Sequence, residues 1–593
     1  MKRYTNYTDQ LTIWLFAILL PVTDKYNICF TGLTTYTLIF SILVAHTLRI
    51  LFKHETYTWN KIDLLWGLVI SWSIIRLLTS SYPVDSITIF YFVCLFMLYY
   101  WTRNAHYNNT FVLALSISGI IQAIWGILQF IDILPSYHVY FKQTGSFINP
   151  SLWGIYLTLS IISCSLLLYH TSKNIYKICL IGGLCIMLTG ISLAHSRAAW
   201  FALINGMVWI YCKSNKYHYQ QFNKRMIYSC TLITFLTLLL LGGMYLIHPA
   251  SANGRILIYL VSFSIFGQAP WFGHGISSFK AMYMPQQALW FQQNSNSIFI
   301  PIAENNYTAF NEYIKIACET GIIGLTLFSV LLFYCLKISP KEHNNIRHYQ
   351  VLLISFSIFS VFGYPFENIS ITLIFCTIIA IIAKETTLKR HTIYISRFTK
   401  KILTIILLII SFLFYNQIIL RTKAEQTLKT VTTEKTWMKY YPQLINSPEF
   451  VLWLAEELYT CKKYSEALPV LEQAYKLRPN SMVLNNIGLC YQYSQKFDKA
   501  QNAFQQAHLM VPAHILPQFY LFSLYQETGE KDKAEKIAKK ALATKAKITN
   551  TTVLKARYIM KSFLKNSYNK TKERRCYEID RNKQNFKEEL CDD

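Results

Sequence analysis

Acidic residues are scarce in this chain: 31 Asp and Glu stand against 57 Lys and Arg, a formal net charge of +26 over 593 residues. An excess of that size points to nucleic acid only when the cations gather on one face or stripe. Here they fall in alternate short segments between apolar runs, and nucleic acid is excluded as a partner. Spaced cysteine pairs are also missing. Most of the 14 cysteines lie within apolar runs, where the thiol acts as a small hydrophobe, so neither a metal site nor a cofactor is expected. No small-x-small cleavage site follows the apolar stretch ending at Val22, which is therefore read as a first anchor and not a removable signal. From Arg421 onward, no apolar window reaches the roughly 17–25 residues that cross a hydrocarbon core about 30 Å thick.

Before Leu420 such windows recur. Spans are expected at 11–22, 33–52, 62–80, 86–101, 110–131, 151–169, 174–194, 198–212, 226–247, 313–337, 349–366, 368–384 and 401–420, about thirteen in all. With the N-terminus inside, 21 of the cations before Arg421 fall in cytoplasmic segments. Outward segments hold Lys25, Lys142, Arg197, Arg255 and Lys280, while Arg76 and Lys315 fall within spans. The Lys and Arg bias sets orientation, so the N-terminus is expected in the cytoplasm and the polar 248–312 loop outside. An odd number of spans puts everything past Arg421 outside as well. That tail carries 29 Lys and Arg with 19 Asp and Glu, a water-soluble composition. A Cys576 to Cys591 bridge is one expectation in such an oxidising compartment.

The tail repeats itself. Tyr464-Ser465-Glu466-Ala467, Phe497-Asp498-Lys499-Ala500 and Lys531-Asp532-Lys533-Ala534 place their alanines 33 and 34 residues apart, and Pro479 and Pro512 recur 33 apart. The period and the small Ala, which lets paired helices approach closely, resemble the tetratricopeptide repeat. Asn485 to Tyr491 supplies the matching first-helix pattern, and an earlier half-unit is expected near Phe450 to Cys461. Such arrays stack into a superhelix whose concave face holds peptide or protein, which makes a protein partner one expectation and a passive cap the other. Beyond Asn566 the sequence is charged and poor in apolar residues, as disordered segments are. The expected architecture is all-α: a transmembrane helical bundle over 1–420, a soluble repeat domain over 421–565 and a charged tail over 566–593.

Polar residues with chemistry in them cluster at the outward ends of spans. Thr144 to Ser151 forms a turn containing Asn149-Pro150-Ser151, and Ser196-Arg197-Ala198-Ala199-Trp200 places an arginine between two spans with almost no loop. An arginine held at the interface is costly unless it snorkels, pairs or binds an anion. Asn253-Gly254-Arg255 follows, then Pro270-Trp271-Phe272-Gly273-His274-Gly275 with Lys280 beyond it. Ala303-Glu304-Asn305-Asn306-Tyr307 leads to Phe310-Asn311-Glu312-Tyr313, Glu319-Thr320-Gly321 and finally Gly363-Tyr364-Pro365-Phe366. Singly, each has a plain structural explanation: snorkelling for Arg197, tight turns for the glycines, capping for Asn311, a favourable N-terminal charge for Glu312.

Their order resembles the O-antigen ligase and polymerase superfamily, which includes bacterial O-oligosaccharyltransferases; the resemblance covers roughly 60 to 385. It implies an inner-membrane enzyme whose large outward loop carries the site, in agreement with the 248–312 loop placed by charge. It further implies transfer of a glycan from undecaprenyl pyrophosphate to a lipid or protein acceptor hydroxyl, without nucleotide sugar or metal. Arg197 and Arg255 would grip the pyrophosphate, assisted by Lys280, because guanidinium forks bind phosphoryl oxygens bidentately and stabilise charge on a departing group. Many members carry His immediately before the Asn that opens the next span, where this chain has Phe310. The proton acceptor is therefore left among Glu312, Glu304 and His274. Asn149, Asn311, Glu319 and Tyr364 complete the candidates, as acceptor-binding or structural groups.

Rival classes are a polymerase of lipid-linked repeat units, a transporter of the same lipid, and a non-catalytic scaffold. A transporter needs charge at mid-membrane and an internal repeat, and no inverted repeat is visible. A scaffold leaves the outward Arg, Asn and Glu cluster without a purpose.

Overall fold

The computed structural model describes residues 2–23, 33–53, 56–105, 110–136, 138, 141–214, 249–338, 346–386, 388, 390–430, 437–545 and 550–565. The expected span 226–247 and the tail 566–593, with Cys576 and Cys591, lie outside these residues. The chain divides into two compact units. The first comprises Met1–Pro249, Ser262–Phe279 and Thr308–Phe450; the second comprises Ala250–Val261, Lys280–Tyr307 and Val451–Asp593.

The first unit is a helical bundle. Among the described residues, five of its helices are long and apolar enough to cross a membrane: Thr110–Phe130, Pro150–His170, Asn174–Leu193, Glu312–Lys337 and Arg397–Thr427. Shorter apolar helices cover Arg197–Ile210 and Ile346–Phe362. The remaining expected spans in described residues are helical too, and one of them, Lys61–Leu78, carries three charges, Lys61, Asp63 and Arg76. Burial orders the bundle. The apolar window of Pro150–His170 is 78% buried, that of Asn174–Leu193 only 22%, so the first is a central helix and the second presents its side chains outward. Ile369–Glu385 is only 17 residues long, and fifteen of them are buried. The central helices pack closely where one partner is small: a Cβ on Gly126 would lie 2.2 Å from the Trp153 ring, one on Gly119 2.2 Å from Ser160.

Two short strands qualify the all-α expectation. Thr56–Trp59 pairs antiparallel with His391–Tyr394, Thr56 opposite Tyr394 and Trp59 opposite His391, which brings the segments after Lys53 and after Glu385 to one end of the bundle. The helix Arg397–Thr430 has 34 residues, about 50 Å at 1.5 Å per residue, and so runs straight through the expected boundary at 420. Buried Arg421, on that helix, makes an ion pair with Asp85 and donates to Ser447 Oγ at 3.3 Å.

The second unit is built on helix pairs. Tyr464–Leu477, Phe497–Met510 and Lys531–Ala543 alternate with Ser481–Tyr493 and Ile515–Glu527. Ala467, Ala500 and Ala534 are all fully buried. The recurrence extends to the turns: Lys462, Gln495 and Gly529 each adopt a positive φ after a helix. The next N–H then reaches back six residues inclusively, Lys463 to Leu458, Lys496 to Tyr491 and Glu530 to Tyr525. This is a Schellman ending, which satisfies carbonyls that a helix C-terminus leaves unpaired. The first of the three closes Pro448–Thr460. The expected 248–312 loop is itself largely helical, with Pro249–Gln268 and Ser278–Gln293.

Candidate functional site

The helix Glu312–Lys337 opens on Asn311, whose side-chain oxygen accepts the N–H groups of Tyr313 (2.9 Å) and Ile314 (3.2 Å). An Asn in this place is worth about 1 kcal/mol to a helix. Phe310, just before it, holds φ at 49°, a left-handed conformation that is rare for a bulky residue. Its ring meets Tyr364 edge-on, centroids 5.2 Å apart. Glu312 is 1% exposed, and its carboxylate accepts the Phe366 N–H at 3.0 Å. Lys315, one turn on, forms an ion pair with Glu367 and lies within electrostatic range of Glu312 and Glu319. Three carboxylates and one ammonium thus share the first two turns of this helix and the turn Pro365–Glu367. A carboxylate at Glu312 can take a proton from a hydroxyl brought within hydrogen-bond reach. It also ties the helix start to the turn, which is a structural role.

Further along, the helix is interrupted. Gly321 has φ 70° and ψ −174°, so the N–H groups of Ile322 and Ile323 leave the carbonyls four residues back and turn to Pro270 (2.8 Å) and Trp271 (3.5 Å). The freed carbonyls find other donors. Cys318 O accepts the His274 N–H and Glu319 O the Gly275 N–H, both at 2.9 Å, while Thr320 O accepts the Trp72 indole N–H at 3.1 Å. The carbonyls of Cys318, Glu319 and Thr320 and the N–H groups of Ile322 and Ile323 are thereby paired, as burial requires. The approach is too close for side chains: a Cβ on Gly273 would lie 2.5 Å from the Glu319 carbonyl carbon, one on Gly321 2.1 Å from Trp271 O. Arg76 donates to Gly273 O at 2.9 Å. His274 donates through Nε2 to Ile265 O at 2.9 Å. The sequence offers Pro270 to Gly275 and Glu319 to Gly321 as separate candidates, and the structure joins them as two sides of one exchange of backbone hydrogen bonds.

The other candidates are placed as follows. Asn149 caps Pro150–His170, accepting the Ser151 N–H at 2.8 Å. Arg197, half-buried, is the first residue of the helix Arg197–Ser214, behind His195 at φ 49°. Glu319 is 6% exposed. These belong to the first unit with Glu312, Asn311, His274 and Tyr364. Arg255, Lys280 and Glu304, each half-buried, belong to the second. Arg255 lies one turn before Tyr259 and works against the burial that raises the Tyr259 phenol pKa. Glu304 Oε2 lies 3.2 Å from His514 Nε2. Among the described residues no group of three or more His, Cys, Asp or Glu is arranged to hold a metal.

Residues 182–329 match the family model described as O-Antigen ligase. The matched stretch contains Arg197, Arg255, His274, Lys280, Glu304, Asn311, Glu312 and Glu319, and leaves Asn149 and Tyr364 outside. It supports the O-antigen ligase superfamily and, with the apolar helices, a membrane enzyme of ligase or polymerase type. A separate likeness covers 89 residues, 15% of the chain: they are 35% identical to BBSome complex member BBS4 of Bos taurus and 34% identical to that of Mus musculus. The chain spans only 17% of the length of either relative.

Sequence reading missed Glu367 and the partnership of Lys315. The signal was one residue beyond the Tyr364-Pro365-Phe366 motif, but only the fold brings position 367 against position 315.

Proposed function

We propose that this chain transfers a glycan from undecaprenyl pyrophosphate to an acceptor hydroxyl, as an O-antigen ligase does, on the periplasmic side of a bacterial inner membrane. The observation that carries the reading is the match over 182–329, which takes in both candidate pyrophosphate arginines and every candidate base. In this reading the acceptor oxygen bonds to the anomeric carbon as the bond from that carbon to the pyrophosphate oxygen breaks. The acceptor proton passes to Glu312, and undecaprenyl pyrophosphate leaves. Arg197 and Arg255 counter the charge that builds on it, with Lys280 assisting. The cation bias supports a cytoplasmic N-terminus, which puts the 248–312 segment and the tetratricopeptide-like pairs in the periplasm. The pairing of 56–59 with 391–394 agrees with the even number of crossings expected between them.

The test is charge-conserving. Arg197→Lys and Arg255→Lys are each expected to lower glycan transfer by about a hundredfold or more, because a point cation cannot reproduce a bidentate fork. Normal transfer by both variants, at normal protein levels, removes the pyrophosphate role.

The same match serves a polymerase equally well, and the products tell the two apart. Loss of a ligase strands full-length chains on the lipid carrier; loss of a polymerase leaves acceptors bearing single units.

A further inference from the structure

The second unit contains more than helix pairs: the segment Lys280–Tyr307 is part of it, and its polar residues are engaged one after another. Gln287 is 1% exposed; its Nε2 donates to Met510 O at 2.6 Å and to Glu304 O at 3.2 Å. Asn305 Oδ1 accepts the Ser481 N–H at 3.1 Å, and its Nδ2 donates to Ser481 Oγ at 3.3 Å. The Tyr307 hydroxyl accepts from Asn480 Nδ2 at 3.0 Å. Glu304 faces His514, whose other ring nitrogen lies 3.4 Å from Ser481 Oγ.

The partners on the helix pairs are equivalent positions. Asn480 precedes Ser481–Tyr493 and His514 precedes Ile515–Glu527 as their N-caps, 34 residues apart. Asn480 already caps its own helix through Oδ1, which accepts the Val483 N–H at 2.7 Å, so its amide NH₂ is left to donate outward. Tyr307 and Asn305 thus engage one pair and Glu304 the next, in the manner of an extended peptide read by successive units of a repeat array.

We propose that the ligand of this array is the chain's own segment Ala303–Tyr307, and that Asn480, Ser481 and His514 are positioning residues for transfer. The second half rests on the function proposed above. Tyr307 precedes Glu312 by only five residues, so holding the first limits the arrangements open to the second. A tethered segment is present at high effective concentration, and an external peptide would have to displace it to use the same positions.

Two measurements on the full-length protein in membranes test this. Asn305→Cys combined with Ser481→Cys should form a disulfide under mild oxidation, identified by mass spectrometry of the joined peptides, and should retain transfer. Glu304→Arg should lower transfer about tenfold by replacing the acceptor that faces the His514 ring with a cationic donor, and adding His514→Glu should recover most of it, because the exchanged positions again match a donor with a carboxylate. Absence of the cross-link overturns the clamp whether or not the protein transfers glycan. A cross-link accompanied by an indifferent Glu304→Arg, or by failure of the exchanged pair to recover, overturns the positioning role. A protein that cross-links but transfers no glycan overturns the function proposed for the site and leaves the clamp standing.

Discussion

Glu304 and Glu312 lie eight residues apart, both in the segment that sequence alone reads as one outward loop. Their surroundings differ. Glu312 is buried at the start of a bundle helix, bonded to a backbone N–H and accompanied by the Lys315–Glu367 pair. Glu304 is half-buried among helix pairs and faces a histidine. In the function and the clamp proposed above, the first carboxylate takes the acceptor proton and the second holds the segment to the helix pairs.

The sharpest way to break that contrast is to neutralise each in turn. Glu312→Gln is expected to reduce transfer by about a hundredfold or more, the range for removal of a general base, whereas Glu304→Gln should cost about tenfold or less. Initial rates in membranes with matched protein levels decide it, and the reverse order would move the base to Glu304. The next effect concerns stability. Gly321→Ala forces a Cβ against Trp271 O at a left-handed φ, and should cost about 2–3 kcal/mol, read as a fall of several degrees in the detergent melting temperature. An unchanged melt would show that the exchange around Gly321 relaxes freely.

A smaller effect belongs to the second unit. Burial, and then the nearby Lys540 cation, push the His508 pKa down to about 4, and its Nδ1 accepts from Gln518 at 3.3 Å. A lowered folded pKa means that the neutral ring is the stabilising form. Its contribution is complete above the ordinary value near 6.5 and is lost as pH falls toward 4, by on the order of 2 kcal/mol. Melting of the full-length protein between pH 7 and 4 should therefore be steeper for the wild type than for His508→Gln, and parallel curves would show that this ring does not set the slope.

Local pattern carried much of this architecture. The helix starts at Asn149 and Asn311 are legible because an Asn before an apolar run has one strong use, and the helix pairs because alanine recurs with a fixed period. The number of spans was harder to read. Ile369–Glu385 is apolar and has protein on nearly every side, and composition does not separate that solvent from lipid. The recurring turns escaped because only Gly529 is a glycine, while Lys462 and Gln495 adopt the same left-handed conformation without announcing it. The exchange at Gly321, the Lys315–Glu367 pair and the membership of 280–307 in the second unit join positions far apart in the chain, and a single sequence holds no record of such pairings.

The central claim is transfer from a lipid pyrophosphate to a separate acceptor, and reconstitution tests it most directly. Purified full-length protein in bacterial lipid is given undecaprenyl-pyrophosphate-linked glycan with a candidate lipid or protein acceptor, and both products are followed. The account predicts glycan on the acceptor with one undecaprenyl pyrophosphate released per transfer, abolished by Arg197→Lys and Arg255→Lys. Lengthening of the lipid-linked chain with the acceptor unmodified would contradict it and make the protein a polymerase.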